Sequence, residues 1–234
     1  MNTRLAIDES NKLQELREIS HQPQNPVLRF AASLISYVFH PLFVPVYVAW
    51  FLITIQPYLF SSFTASDKAI TLVRFFIMYS FFPLVTVLIA KGLGFLDSIF
   101  LKTQKERIIP YIACGIYYFW MCYVLRNQPQ FSKEVVQFSM AIFISSSIGL
   151  LANIYMKVSM HSISMGIVLA FMAQLAFSQG GNYTVYLSIA LLLSGLVCTA
   201  RFIVSDHTQK EIYTGLAVGI VSHLIAIWAD GILP

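Results

Sequence analysis

A chain of 234 residues with 57% hydrophobic residues, 11% charged residues and a mean hydropathy of +0.71 is not a soluble domain. Soluble domains carry about 25% charged residues. The net charge of +4 is scattered between apolar stretches and forms no basic run, which argues against a nucleic-acid partner. Cys114, Cys122 and Cys198 sit inside apolar segments, with no metal-ligand spacing and an odd count, so they read as packing residues.

Residues 1–29 form a polar tail with four Lys/Arg and four Asp/Glu, and no cleavable apolar leader is expected. Within it, Glu9–Ser20 reads as a short surface helix. Residues 30–234 read as one transmembrane domain. A membrane helix needs about 20 largely apolar residues. Segments at about 31–55, 70–90, 108–125, 135–156, 161–178, 184–203 and 210–229 fit, two of them short. The expected fold class is therefore all-α, a polytopic membrane helical bundle with about seven (six to seven) spans.

The breaks are legible as turn chemistry. Gln56-Pro57 ends the first segment and Lys91-Gly92-Leu93-Gly94 the second. Arg126-Asn127-Gln128-Pro129 and Gln179-Gly180-Gly181-Asn182 separate later pairs. The first segment contains His40-Pro41 and Pro45, and proline removes a helix hydrogen bond. It reads either as a bent span or as an interfacial helix followed by a span from about Pro41. His40 then either satisfies backbone groups at the kink or reaches a polar cavity. Tyr117-Tyr118-Phe119-Trp120 reads as lipid-facing or packing material. Gly215 and Gly219 are a small-xxx-small pair suited to close helix packing.

With seven crossings, the loops at 91–107, 157–160 and 204–209 share one side with the tail. They hold Lys102, Lys105, Glu106 and Arg107, then Lys157, Ser159 and His161, then Asp206 and His207, with Arg201 and Glu211 at the flanking helix ends. The loop at 179–183 carries no charge. Cations and imidazoles from three distant loops suit an anion. Lys and Arg neutralise phosphate oxygens, helix starts near His161 and Thr208 offer backbone N–H groups, and histidines serve as nucleophile or acid. A carboxylate on the attacking histidine would fix its tautomer.

Arg201-x5-His207-x3-Glu211, followed by Gly215, resembles the third signature of the type 2 phosphatidic acid phosphatase superfamily, Ser-Arg-x5-His-x3-Asp. Val158-Ser159-Met160-His161 resembles its second, Pro-Ser-Gly-His, and Lys102 to Arg107 with Pro110 echoes its first, Lys-x6-Arg-Pro. The resemblance covers about residues 100–219. Ala200, Glu211, Met160 and Val158 stand where the family has serine, aspartate, glycine and proline.

The resemblance implies a phosphatase that needs neither metal nor cofactor and takes its lipid phosphate or diphosphate from the bilayer. His207 would attack phosphorus and form a phosphohistidine, Glu211 would orient it, and His161 would protonate the leaving oxygen. Arg201, Ser159, Arg107 and Lys102 would hold the phosphoryl oxygens. The changed motif residues equally suit a catalytically degenerate relative that binds or transports a phospholipid head group. A structural membrane protein, in which His161 and His207 stay apart, is the third reading.

Other readings of single residues remain beside these. Thr208-Gln209-Lys210-Glu211 is also a capping box, and Lys102, Lys105 and Arg107 also suit a topology-setting basic loop. Eleven Lys/Arg fall on the motif face and tail, against Lys68, Arg74, Arg126 and Lys133 on the other. That bias points the site face to the cytoplasm of a cell (inner) membrane.

Overall fold

In hydrocarbon every backbone polar group must be bonded within the protein, so so apolar a chain folds as helices. The computed structural model describes residues 4–7, 13–16, 25–101, 103–178, 183–204 and 207–232. In the tail, β1 (Arg4–Ile7) pairs antiparallel with β2 (Leu13–Leu16), Arg4 opposite Leu16. This corrects the expected surface helix over Glu9–Ser20 where residues 13–16 are described. Their backbone groups bond across to 4–7 instead of along a helix.

The first apolar segment resolves into two short helices. Asn25 caps α1 (Pro26–Val38), its side chain accepting from Val27 N at 3.0 Å, with Pro26 in the first turn. The chain breaks at His40-Pro41 and restarts as α2 (Val44–Ile55) with Pro45 in its first turn. At 13 and 12 residues, neither helix is long enough to cross a membrane alone. Yet His40 packs against His161, while Gln56 and Tyr58 bond Tyr183 at the other end of the bundle. The stretch from His40 to Tyr58 therefore runs from one face to the other.

Among the described residues, six helices are long and apolar enough to span a membrane. The first is a 28-residue rod, Ala65–Gly92. It comprises α3 (Ala65–Phe76), a π-helical turn at Ile77–Phe81, and α4 (Phe82–Gly92). The π turn adjoins Pro83, which has no N–H for an ordinary helical bond, and Phe82 N–H reaches back to Ile77 O. Ser80 Oγ in this turn donates to Leu42 O at 2.6 Å, which anchors the α1–α2 break.

The rest follow in order: α5 (Gln104–Arg126), α6 (Lys133–Tyr155), α7 (Met160–Ser178), α8 (Thr184–Val204) and α9 (Gln209–Ile232). The chain is thus an all-α polytopic bundle and an integral membrane protein. α6 and α7 are its most interior helices. α6 lies between α5 and α9, α7 between α8 and α9, and α1 leans on α8. Phe138, Phe171 and Leu175 fill the centre, while Phe177, Leu192 and Trp228 point outward.

Glycine sets the closest crossing. A Cβ on Gly215 would lie 2.8 Å from the Ser159 carbonyl, and one on Gly219 would strike the Ile163 carbonyl. The expected small-residue packing is therefore present, and it holds the start of α9 against the start of α7. That contact positions the candidate site.

Candidate functional site

The three loops expected on one side do meet. Ser159 N–H donates to the Glu211 carbonyl at 3.3 Å, tying the 156–159 loop to the first turn of α9. Arg107, in the first turns of α5, donates from Nη1 to the Val158 carbonyl at 2.7 Å and from Nε to the Leu101 carbonyl at 3.0 Å. Its Nη2 lies 3.5 Å from His207 Nε2.

Arg107 is placed by its helix end. Thr103 and Glu106 form a reciprocal capping box, and Glu106 also accepts from Ser98 N at 2.9 Å, which folds the preceding loop back onto α5. Leu101 has φ 50°, a left-handed conformation uncommon for a side chain other than glycine. The carbonyl of this strained residue is the one that receives Arg107 Nε.

His207 stands just before α9. Its Nδ1 is 3.1 Å from Glu211 Oε2, and the same oxygen accepts from Thr208 N at 3.0 Å. Glu211 N donates to Thr208 Oγ1 at 3.3 Å. Both readings of Glu211 therefore hold at once: it closes the capping box and it binds the histidine. An ionised carboxylate only accepts, so Nδ1 carries the proton and Nε2 keeps its lone pair. That lone pair faces Arg107. His207 is 8% exposed and Glu211 3%. Burial pushes the His207 pKa down, the Glu211 bond pulls it up, and the charges of Arg107 and Arg201 push it down, for a net lowering.

His161 lies in the first turn of α7, with Nε2 3.0 Å from the Ser36 carbonyl of α1. A carbonyl only accepts, so that nitrogen holds the proton and Nδ1 keeps the lone pair. His40, from the α1–α2 break, sets its ring edge-on to His161 at 5.3 Å. The backbone-satisfying reading of His40 is the one seen: its Nδ1 accepts from Leu42 N at 3.3 Å within the kink. Burial first and Arg201 second depress its pKa to about 4.

His161 lies within electrostatic reach of His207, His40 and Arg201. Ser159 is 1% exposed, and its Oγ accepts from Ser162 N at 3.4 Å, capping α7. Arg201, in the last turn of α8, contributes its charge to His40, His161 and His207. Lys102 and Asp206, like the turn at 179–182, lie outside the described residues.

Sequence reasoning missed a second polar chain, at the opposite end of the bundle. Asp230 pairs with Arg126 at 3.6 Å and accepts from Gln137 Nε2 at 2.8 Å. Gln137 Oε1 accepts from Gln174 at 2.6 Å, and Gln174 Oε1 lies 2.7 Å from His223 Nε2. His223 is completely buried. The available signal was polar and ionisable side chains inside otherwise apolar spans.

These elements define the class: a membrane-embedded helical bundle whose loops build one buried cationic histidine site. Comparison with protein-family models, curated proteins and solved structures finds no match.

Proposed function

We propose that this chain is an integral membrane phosphatase acting on a lipid phosphate or diphosphate through a phosphohistidine at His207. The observation that carries this reading is the hydrogen bonding of His207: Nδ1–H on Glu211, and the Nε2 lone pair beside the Arg107 guanidinium. A nucleophilic imidazole needs that tautomer, and a planar guanidinium beside it suits the oxygens of a phosphoryl group.

In the first step His207 Nε2 attacks phosphorus, the N–P bond forms and the bond to the leaving oxygen breaks. His161 supplies the proton to that oxygen. With Nε2–H held by Ser36, Nδ1 is the nitrogen that takes up a proton from solvent and passes it to that oxygen. Water then attacks the phosphohistidine, giving its proton back to His161 and freeing phosphate and neutral His207. Arg107 and Arg201, with Lys102, offset the phosphoryl charge, and Ser159 holds the start of α7 in register. The Lys/Arg bias favours a site facing the cytoplasm of a cell membrane.

The test is phosphate release from a panel of lipid phosphates by purified full-length protein, with acid-quench trapping of phosphohistidine. His207→Ala is expected to abolish both. An alanine variant as active as the parent ends the mechanism.

A second reading is favoured by Met160, where the resembled family has glycine, and by the Ser159 hydroxyl already engaged as a helix cap. It is a head-group binder or transporter without turnover. Tight lipid-phosphate binding with no release and no trapped phosphohistidine would select it.

A further inference from the structure

The groove between α5 and α6 starts one helical turn from Arg107 and runs along the outer side of the two helices. Residues four apart on a helix stack on one face, so the row that begins with Arg107 continues as Tyr111, Gly115 and Phe119. All three line a cavity of about 340 Å³, together with Phe143, Ser147 and Leu150 of α6. That volume lies in the ~300–1,000 Å³ range of ligand pockets. From Tyr111 to Phe119 the groove extends roughly 12 Å at 1.5 Å per residue.

Two of the hydroxyl-bearing residues that line the groove turn their hydroxyls onto their own helix. Ser146 Oγ donates to the Phe143 carbonyl at 2.8 Å, and Ser147 Oγ to the same carbonyl at 3.2 Å. Both hydroxyls are thus satisfied on their own helix. The tip of Tyr111 is tucked over Gly149, where a Cβ would lie 2.9 Å from its ring. Gly115 leaves the floor open, its nearest neighbour in the direction of a Cβ being Ser146 Oγ at 3.8 Å. Ile112, Ile116 and Phe119 are 48%, 62% and 50% exposed, so the slot opens sideways toward the bilayer.

We propose that this groove holds the hydrocarbon chain of a lipid whose phosphate lies at Arg107 and His207. The assignment rests on the phosphate reading of that site and extends it to the tail. A cationic site one helical turn from an apolar slot on the same helix is complementary to a phosphomonoester on a long chain. The slot's lateral opening lets such a chain enter from the membrane without leaving hydrocarbon.

The test uses full-length protein in nanodiscs and a phosphatidic acid probe carrying a diazirine in its acyl chain. Photolysis is expected to label 111–119 and 143–150. Gly115→Leu, and independently Ser147→Leu from the facing wall, are expected to cut labelling there about tenfold by filling the slot. Unlabelled long-chain phosphatidic acid should compete and a dihexanoyl form should not. Labelling concentrated elsewhere, or unchanged by both substitutions, overturns the proposal. So does equal labelling by a phosphatidylcholine probe, which makes the slot a bulk-lipid groove. None of these readouts requires turnover. Labelling in the groove by an inactive protein leaves this assignment standing and sinks only the phosphatase, whereas turnover with labelling elsewhere does the reverse.

Discussion

Glu211 Oε2 accepts two hydrogen bonds, from His207 Nδ1 at 3.1 Å and from the Thr208 backbone at 3.0 Å. One oxygen therefore fixes both the tautomer of the histidine and the start of α9. The two duties are separable by experiment. Glu211→Gln keeps an acceptor for the cap but loses the charge that supports an imidazolium or phosphohistidine. It should cost about 1 kcal/mol of stability or less, while lipid-phosphate turnover falls on the order of 10²–10⁴-fold. Loss of stability with unaltered kcat would make Glu211 a helix cap only.

Arg107 holds two backbone carbonyls and faces His207 Nε2. Arg107→Ala leaves the Leu101 and Val158 carbonyls short of a donor in a buried place. About 1–3 kcal/mol of destabilisation is expected from that alone. Arg107→Lys restores the charge but not the planar fork, so thermal stability should recover more than turnover. Equal recovery of both would reduce Arg107 to a source of positive charge.

The acid response follows from burial. His207 has its pKa lowered from 6.5, so the neutral nucleophile persists below that pH, and the acid limb of kcat/KM is expected below pH 6.5. Stability has the same sign. A histidine whose folded pKa is depressed contributes stability that is complete above its unfolded value and is lost as pH falls. For His40 that window runs from 6.5 down to about 4. His40→Asn retains an acceptor at the kink, and its melting temperature should decline less than the parent's across that window. Parallel declines would show that His40 does not titrate with unfolding.

Gly215 lets the start of α9 touch the start of α7. A methyl there meets the Ser159 carbonyl, just before α7, at 2.8 Å and Ser162 Cβ, in its first turn, at 3.0 Å. Gly215→Ala should therefore destabilise by roughly 1–3 kcal/mol and lower turnover by moving Ser159 and His161 away from His207. Gly195, whose Cβ would meet nothing within 4 Å, is the control, and Gly195→Ala should be near neutral in thermal unfolding. Similar losses for both would refute the packing argument.

Gln174 bridges Gln137 and His223 inside the bundle. Gln174→Leu leaves both without that partner. A loss of roughly 1–3 kcal/mol is expected in equilibrium unfolding, in line with buried polar groups left unmade. Gln137→Leu made together with it should cost less than the sum of the single changes, because the two share one network. Strict additivity would argue against a connected chain.

Length, hydropathy and turn residues were enough to determine an all-α membrane bundle and most of its helix ends, because a span must be long, apolar and closed by polar or helix-breaking residues. The His207–Glu211 contact was equally legible, since a four-residue spacing at a helix start is a local property. The fate of His40-Pro41 was not. Two prolines allow a kink or a full break, and only packing against Leu42, Ser80 and His161 chose the break. Likewise, nothing local says that Arg107 meets His207, a hundred residues away, or that Ser36 holds His161. Gln137, Gln174, His223 and Asp230 lie on three helices, far apart in sequence. Helix crossings set by glycine contacts and core packing bring such groups together, and those are decided by the whole bundle rather than by any one span.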